Sequence, residues 1–129
     1  AKRHDKPLIL HCRYSHARAF QMVKDAGVKR AVFHWYSGPV EIIGEIAASG
    51  YYMSACPALT YNPYHVEAIR AVPLSSLLLE TDCPVSYQSL KSRPVHVRLT
   101  LEEAARARGE TPEEIAAATT QNAKECFGI

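Results

Sequence analysis

The chain has 129 residues, of which 47% are hydrophobic and 22% charged, a composition typical of one globular domain that excludes disordered and fibrous proteins. Its formal net charge of +2 is too small to indicate nucleic-acid binding by itself, so such binding would have to come from local geometry. The chain contains no run of about 18 apolar residues and no charged-then-apolar leader, so we expect neither a membrane span nor secretion.

The first predicted elements are a strand, a helix and a second strand. Residues 1–10, AKRHDKPLIL, have no initiator methionine, and their pattern predicts the end of a helix followed directly by a strand. We therefore expect the chain to be part of a longer protein. The apolar run PLILHC at 7–12 predicts a buried strand, and near-helical apolar spacing over 15–28 predicts a helix that stops at Gly27. Residues 30–35, RAVFHW, predict the second strand.

The same alternation continues through the middle of the chain. Residues 37–50 predict a second helix, with Pro39 near its first turn and Gly50 at its end. YYMSAC at 51–56 predicts a third strand, and NPYHVEAIRAVP at 62–73 predicts a short helix bounded by two prolines.

The C-terminal part contains a fourth strand and further helices. Residues 76–82, SLLLETD, predict the strand, 86–94 predict an irregular stretch, and the remainder is helical. Thr111 begins the sequence TPEE, a capping box that predicts the start of the last helix. Three residues of that helix are expected to face the core: Ile115, Ala118 and Phe127.

The predicted order is β-α-β-α-β-α-β-α, without a linker, a low-complexity segment or a second domain. Strands that alternate with helices form parallel βαβ units, and continuous hydrophobicity indicates strands covered on both faces. A doubly wound open sheet and a section of a (β/α)₈ barrel both fit this α/β pattern, which cannot separate them.

Three of the four predicted strands end in a residue that can bind a metal. These residues are His11, His34 and Asp82. The carboxyl ends of parallel strands meet at one edge of the sheet, and imidazole with carboxylate suits Zn²⁺, Mn²⁺ or a similar divalent ion. One strand-end histidine is more often structural, and one acid there often caps a helix. The prediction of a metal site therefore depends on the coincidence of all three.

The other histidines and the cysteines are given structural roles. Four histidines fall in helices or loops without partners and are expected to be solvated: His4, His16, His65 and His96. Four cysteines lie far apart without a C-x-x-C pair: Cys12, Cys56, Cys83 and Cys126. Their spacing is too sparse for a disulfide framework, so we expect reduced thiols in a cytoplasmic protein.

Other catalytic signatures are absent. The sequence has no phosphate-binding P-loop, no G-x-G-x-x-G, no H-E-x-x-H and no G-x-S-x-G. Nucleophilic catalysis by Cys12 or Cys83 would need a histidine base. It is disfavoured for Cys12 because neighbouring His11 points to the opposite side of the strand.

Four segments resemble the TatD family of metal-dependent deoxyribonucleases, within the amidohydrolase-like TIM barrels: PLILHCR, FHWYSG, PLSSLLLETDCP and TPEEIAAATTQNAKECFGI. They cover essentially the whole chain in the family's order and spacing. They match only the last four βα units of eight, however. The resemblance therefore implies a TIM-barrel fold in which residues 1–129 are the C-terminal part of a single hydrolase domain.

The resemblance also implies a function: hydrolysis of phosphodiester bonds in DNA at a site that holds two divalent ions, Mg²⁺, Mn²⁺ or Zn²⁺. His11 and His34 match the histidines that bind one ion. Asp82 matches the aspartate that binds the other ion and activates the attacking water. The family's H-x-H and bridging glutamate are absent from this chain, so we expect the isolated chain to be inactive.

Substrate contacts are less specific. Arg13, on the same side of its strand as His11, is a candidate for phosphate binding, although an idle loop arginine fits equally well. Three further basic residues could contact phosphate or form a solvated face: Lys91, Arg93 and Arg98. Glu80 shares the side of Asp82 and is expected to bond either a metal ligand or a neighbouring strand.

Two departures from the family pattern and two alternative functions remain open. Trp35-Tyr36 replaces the family's cysteine-phenylalanine, and its arginine-asparagine motif is only weakly matched by KSRPVHV. The chain could belong to a related barrel hydrolase that acts on an amide or lactone, or to a non-catalytic half-barrel module. Four strands leave two open sheet edges and an uncovered inner face, so self-association is also expected.

Overall fold

The computed structural model describes residues 1–129. The strands are β1 (Leu8–His11), β2 (Ala31–His34), β3 (Tyr52–Ala55), β4 (Leu77–Leu79), β5 (Ser86–Tyr87) and β6 (Leu90–Lys91). The α-helices are α1 (His16–Asp25), α2 (Ile43–Ala48), α3 (Pro63–Ala71), α4 (Val97–Arg108) and α5 (Pro112–Phe127). Short 3₁₀ helices precede several of them. No helix is both long enough and apolar enough to cross a membrane.

The first four strands form one parallel sheet whose spatial order, β1-β2-β3-β4, is the order of the chain. A doubly wound sheet reverses its strand order at a switch point, whereas a barrel adds each strand beside the last. The α/β prediction is therefore confirmed, and the strand order favours a barrel section. β5 and β6 pair as an antiparallel hairpin inside the stretch predicted to be irregular.

One face of the sheet carries the main core. Because side chains alternate along a strand, Phe33 of β2 and Met53 of β3 point to the same side. They join Phe20 of α1, Ile46 of α2 and Ile69 of α3 in a cluster of 18 buried residues. The helices thus cover this face and leave the carboxyl ends of the strands free for a site.

The opposite face is covered in only one region. Val32 of β2 and Leu78 of β4 form a small cluster with Cys126 near the end of α5. On the edge strand β1, Ile9 is 60% exposed. Towards the carboxyl ends of the strands this face becomes polar, and it is there that the candidate site lies.

The last helix begins as predicted but presents a different face. Thr111 and Glu114 form the reciprocal capping box. The buried stripe has helical spacing and consists of Ile115, Thr119, Asn122 and Cys126. The inward prediction is confirmed for Ile115 and wrong for Phe127, which is 38% exposed. Asn122 sets this orientation by donating hydrogen bonds of 2.8 Å to the carbonyl oxygens of Leu74 and Leu77.

Candidate functional site

The three strand-end residues lie close together at the carboxyl edge of the sheet. His11 and His34 are register partners in β1 and β2, and their ring centroids are 5.5 Å apart. Asp82 follows β4, and its Oδ2 lies 3.5 Å from Nε2 of His34. Trp35 and Asp82 both have a φ of 46°, the left-handed region, so the chain turns sharply at these two strand ends.

Glu80 connects the ends of three strands. Its two carboxylate oxygens each lie 2.8 Å from Nδ1 of His34, and its Oε1 accepts the backbone N–H of Trp35 at 2.9 Å. Ser54 of β3 donates a third hydrogen bond to Oε1 at 2.6 Å. Glu80 therefore bonds both a candidate metal ligand and a neighbouring strand, the two alternatives that the sequence left open.

The contact between His34 and Glu80 shifts the pKa of both side chains. Burial acts to raise the pKa of Glu80, but hydrogen bonds from His34 and Ser54 outweigh it, so the pKa is lowered. The hydrogen bond to Glu80 raises the pKa of His34 against the opposing effect of burial, and Asp82 adds to the rise. The ring thus lies between two carboxylates that both favour a positive charge.

The donor atoms fit a divalent ion. Because an ionised carboxylate only accepts, Nδ1 of His34 carries the hydrogen that bonds Glu80, and Nε2 faces Asp82. Two acceptors at 3.5 Å require a positive charge between them, either a proton or a metal. No group of three or more His, Cys, Asp or Glu side chains in this structure is arranged to hold a metal ion.

A cavity of about 1010 Å³ opens beside the histidines, between the ends of β1 and β2 and the starts of α1 and α3. Its lining includes His11, Arg13 and His34, together with two highly exposed tyrosines, Tyr14 and Tyr64. Arg13 is exposed, and its guanidinium carbon lies 5.7 Å from the ring centroid of Tyr14. Arg13 is therefore free to meet a bound anion.

The other predicted contacts are not in this cavity. Three basic residues are exposed outside its lining: Lys91, Arg93 and Arg98. All four cysteines are free. Burial raises the pKa of Cys12, which opposes thiolate formation and gives no support to a cysteine nucleophile there.

The expectation that His16 and His65 are solvated is wrong. His65 in α3 is fully buried, donates from Nδ1 to the carbonyl oxygen of Tyr36 at 2.7 Å, and accepts the backbone N–H of Cys56 at 3.2 Å. His16, the first residue of α1, packs edge-on against the Tyr36 ring at 5.0 Å. Both rings pack against the segment that follows β2, which carries His34 at its end.

Gly38 gives space to the buried ring of His16, and this contact makes a prediction. A Cβ at position 38 would lie 2.5 Å from Cγ of His16, so we expect Gly38→Ala to destabilise the fold by about 1–3 kcal/mol. Gly44→Ala is the matched control, because a Cβ there meets nothing within 4 Å and alanine favours a helix. Urea unfolding measures both variants, and equal stabilities would contradict the packing role of Gly38.

A known protein family and individual relatives match this chain over most of its length. The family model described as TatD related DNase matches residues 1–128. Human "Deoxyribonuclease TATDN3" is 26% identical over 129 residues, 98% of this chain and 47% of that protein. The "Uncharacterized metal-dependent hydrolase YabD" of Bacillus subtilis is 29% identical over 137 residues, 100% of this chain and 54% of that protein. The chain spans about half the length of the curated relatives it matches.

Solved structures show the same partial coverage. The crystal structure of YJJV, a TatD homolog from Escherichia coli K12, matches with a TM-score of 0.89 and 31% identity over 100% of this chain and 52% of that one. An uncharacterized amidohydrolase from Saccharomyces cerevisiae matches with a TM-score of 0.76 over 94% of this chain and 53% of its own. At 11% identity the yeast match shows a shared fold alone.

Proposed function

The chain belongs to the family of TatD-related DNases, and from this premise we propose that it supplies part of a divalent-metal site that hydrolyses phosphodiester bonds in DNA. The observation that carries the proposal is the opposition of His34 Nε2 and Asp82 Oδ2 at 3.5 Å, beside His11. On this proposal residues 1–129 are the C-terminal part of one cytoplasmic hydrolase domain.

Each residue has a distinct task. His11 and His34 would hold one ion and Asp82 a second, with the remaining ligands contributed from outside this chain. Divalent ions, when bound, supply the Lewis acidity that phosphodiester hydrolysis requires. Asp82 is only partly buried, so its carboxylate can accept a proton from the attacking water and pass it to solvent.

The cavity gives the substrate a place next to these groups. Arg13 lines it with His11 and His34, and its guanidinium can bind two oxygens of a phosphate at once. A volume of about 1010 Å³ is at the upper end of small-ligand pockets and admits a nucleotide. The neighbouring tyrosines offer aromatic faces for bases.

The proposal is tested with the natural protein that contains this sequence. We expect it to cleave DNA oligonucleotides with Mg²⁺, Mn²⁺ or Zn²⁺ and to lose this activity with a chelator, because the chelator removes the Lewis acid that the proposed reaction requires. The same samples are assayed on amide and lactone substrates. Cleavage of those substrates but not of DNA would contradict the phosphodiester assignment. Absence of all hydrolysis would favour a non-catalytic module.

A further inference from the structure

Glu80 forms a set of contacts for which the proposed function gives no role. We infer that Glu80, held by Ser54, is a positioning residue that fixes the tautomer and orientation of His34 and so presents its Nε2 to the ion. The link to the ion rests on the proposed function, whereas the tautomer is a property of this chain alone.

The first support is the direction of the hydrogen bonds. Glu80 accepts from Ser54 and from the Trp35 backbone through Oε1, while both of its oxygens lie 2.8 Å from Nδ1 of His34. Because Glu80 already accepts hydrogen bonds from two fixed donors, its carboxylate is the acceptor towards Nδ1 as well, and the hydrogen between them belongs to the histidine. In the neutral ring this leaves the lone pair on Nε2, the atom that faces Asp82.

The second support is the placement of the donors. Glu80 follows β4, His34 and Trp35 belong to the end of β2, and Ser54 lies in the intervening strand β3. β3 is the one strand of the four that ends without a predicted metal ligand. It contributes Ser54 instead, which donates to Glu80 at 2.6 Å and also accepts the Trp35 N–H at 3.1 Å.

The third support is the low solvent exposure of the two side chains in this contact. The side chains of His34 and Glu80 are 10% and 24% exposed. Solvent therefore has limited access to replace the carboxylate as a partner for Nδ1. Carboxylates that orient ligating histidines in this way typically contribute 10–100-fold in metal affinity.

The direct test is nitrogen NMR of the histidine rings in the metal-free chain, at an alkaline pH where the rings are neutral. We expect wild-type His34 to carry its hydrogen on Nδ1. In Glu80→Gln the amide oxygen can still accept from Trp35 and Ser54, which leaves its NH₂ group facing Nδ1, so the Nε2–H tautomer should become populated. Glu67→Gln is the control, because Glu67 lines the cavity but forms no hydrogen bond with His34.

Two results would overturn the inference. An Nε2–H tautomer in the wild-type chain would do so without any variant, and so would an unchanged tautomer in a folded Glu80→Gln protein. In the natural protein that contains this sequence, Zn²⁺ affinity, measured by competition with a chromophoric chelator, should fall about 10–100-fold in Glu80→Gln and stay constant in Glu67→Gln. Unchanged affinity with an altered tautomer would limit Glu80 to a structural role. A wild-type protein that binds no Zn²⁺ would count against the proposed function and leave the tautomer result standing.

Discussion

We expect Asp82→Asn to reduce metal-dependent DNA cleavage by about 10²–10⁴-fold, the usual contribution of a positioned general base. An amide cannot take a proton from the attacking water, and it is a weaker ligand than a carboxylate. The measurement is kcat/KM in the natural protein that contains this sequence. Undiminished activity in the variant would exclude the role proposed for Asp82.

The same variant should keep its fold. Asp82 has a φ of 46°, and asparagine adopts this left-handed conformation more readily than most residues. The only contact of its side chain with a charged group is the one with His34. We therefore expect the free energy of unfolding to change by less than about 0.5 kcal/mol. A loss of activity accompanied by unfolding would instead make Asp82 a structural residue.

Asp25→Asn is the matched control for charge. Asp25 lies at the end of α1, is exposed and accepts a hydrogen bond only from Gln21, one turn earlier. This variant removes one carboxylate from the chain without changing the candidate site. We expect its activity to equal that of the wild type, so that the effect at Asp82 is separated from a change in net charge.

The fold was predictable from the sequence as far as local pattern determines it. Short continuous apolar runs separated by segments of helical spacing identified the four parallel strands. The same pattern does not contain the order of strands in space, which depends on how each crossover helix packs. Only the family resemblance favoured a barrel section before the order β1-β2-β3-β4 was seen. Phe127 was misplaced because the buried stripe of its helix includes the polar residue Asn122, whose distant hydrogen bonds to Leu74 and Leu77 are not visible in a local pattern.

The part of the site that follows from the convergence of parallel strand ends was predictable from the sequence. The contacts between residues distant in the chain were not. The convergence of strand ends brought His11, His34 and Asp82 into proximity, although metal binding by them stays a prediction. Ser54 escaped notice because a serine inside a strand carries no distinctive signal. Its position on the same face as Glu80, given by the two-residue period, was the one available clue.

The buried histidine of α3 leads to the largest stability prediction. We expect His65→Leu to lower the free energy of unfolding by about 2–5 kcal/mol, because the carbonyl oxygen of Tyr36 and the N–H of Cys56 lose their partner inside the protein. Leucine keeps the site apolar and filled, so the loss reports mainly the two hydrogen bonds. Urea unfolding monitored by circular dichroism provides the measurement.

His4→Leu is the control for this substitution. His4 is exposed in the short 3₁₀ helix at the start of the chain, and its side chain makes no hydrogen bond. We expect a change of less than about 0.5 kcal/mol, as for most surface positions. If both variants unfolded at the same urea concentration, His65 would not connect α3 to the segment after β2 as the structure indicates.

The pH dependence of the His65→Leu effect tests the charge state of the ring. Burial lowers the pKa of His65 below its ordinary value of 6.5, so the unfolded chain takes up a proton at a higher pH than the folded chain does. The stability contributed by the neutral ring is therefore complete above 6.5 and is lost as the pH falls towards the folded pKa. Neighbouring Cys56, whose pKa burial raises to about 12, stays neutral throughout this range.

We expect the difference in unfolding free energy between wild type and His65→Leu to shrink as the pH is lowered from about 7 to about 5. A constant difference would mean that His65 takes up its proton equally in the folded and unfolded states, which its two buried hydrogen bonds forbid.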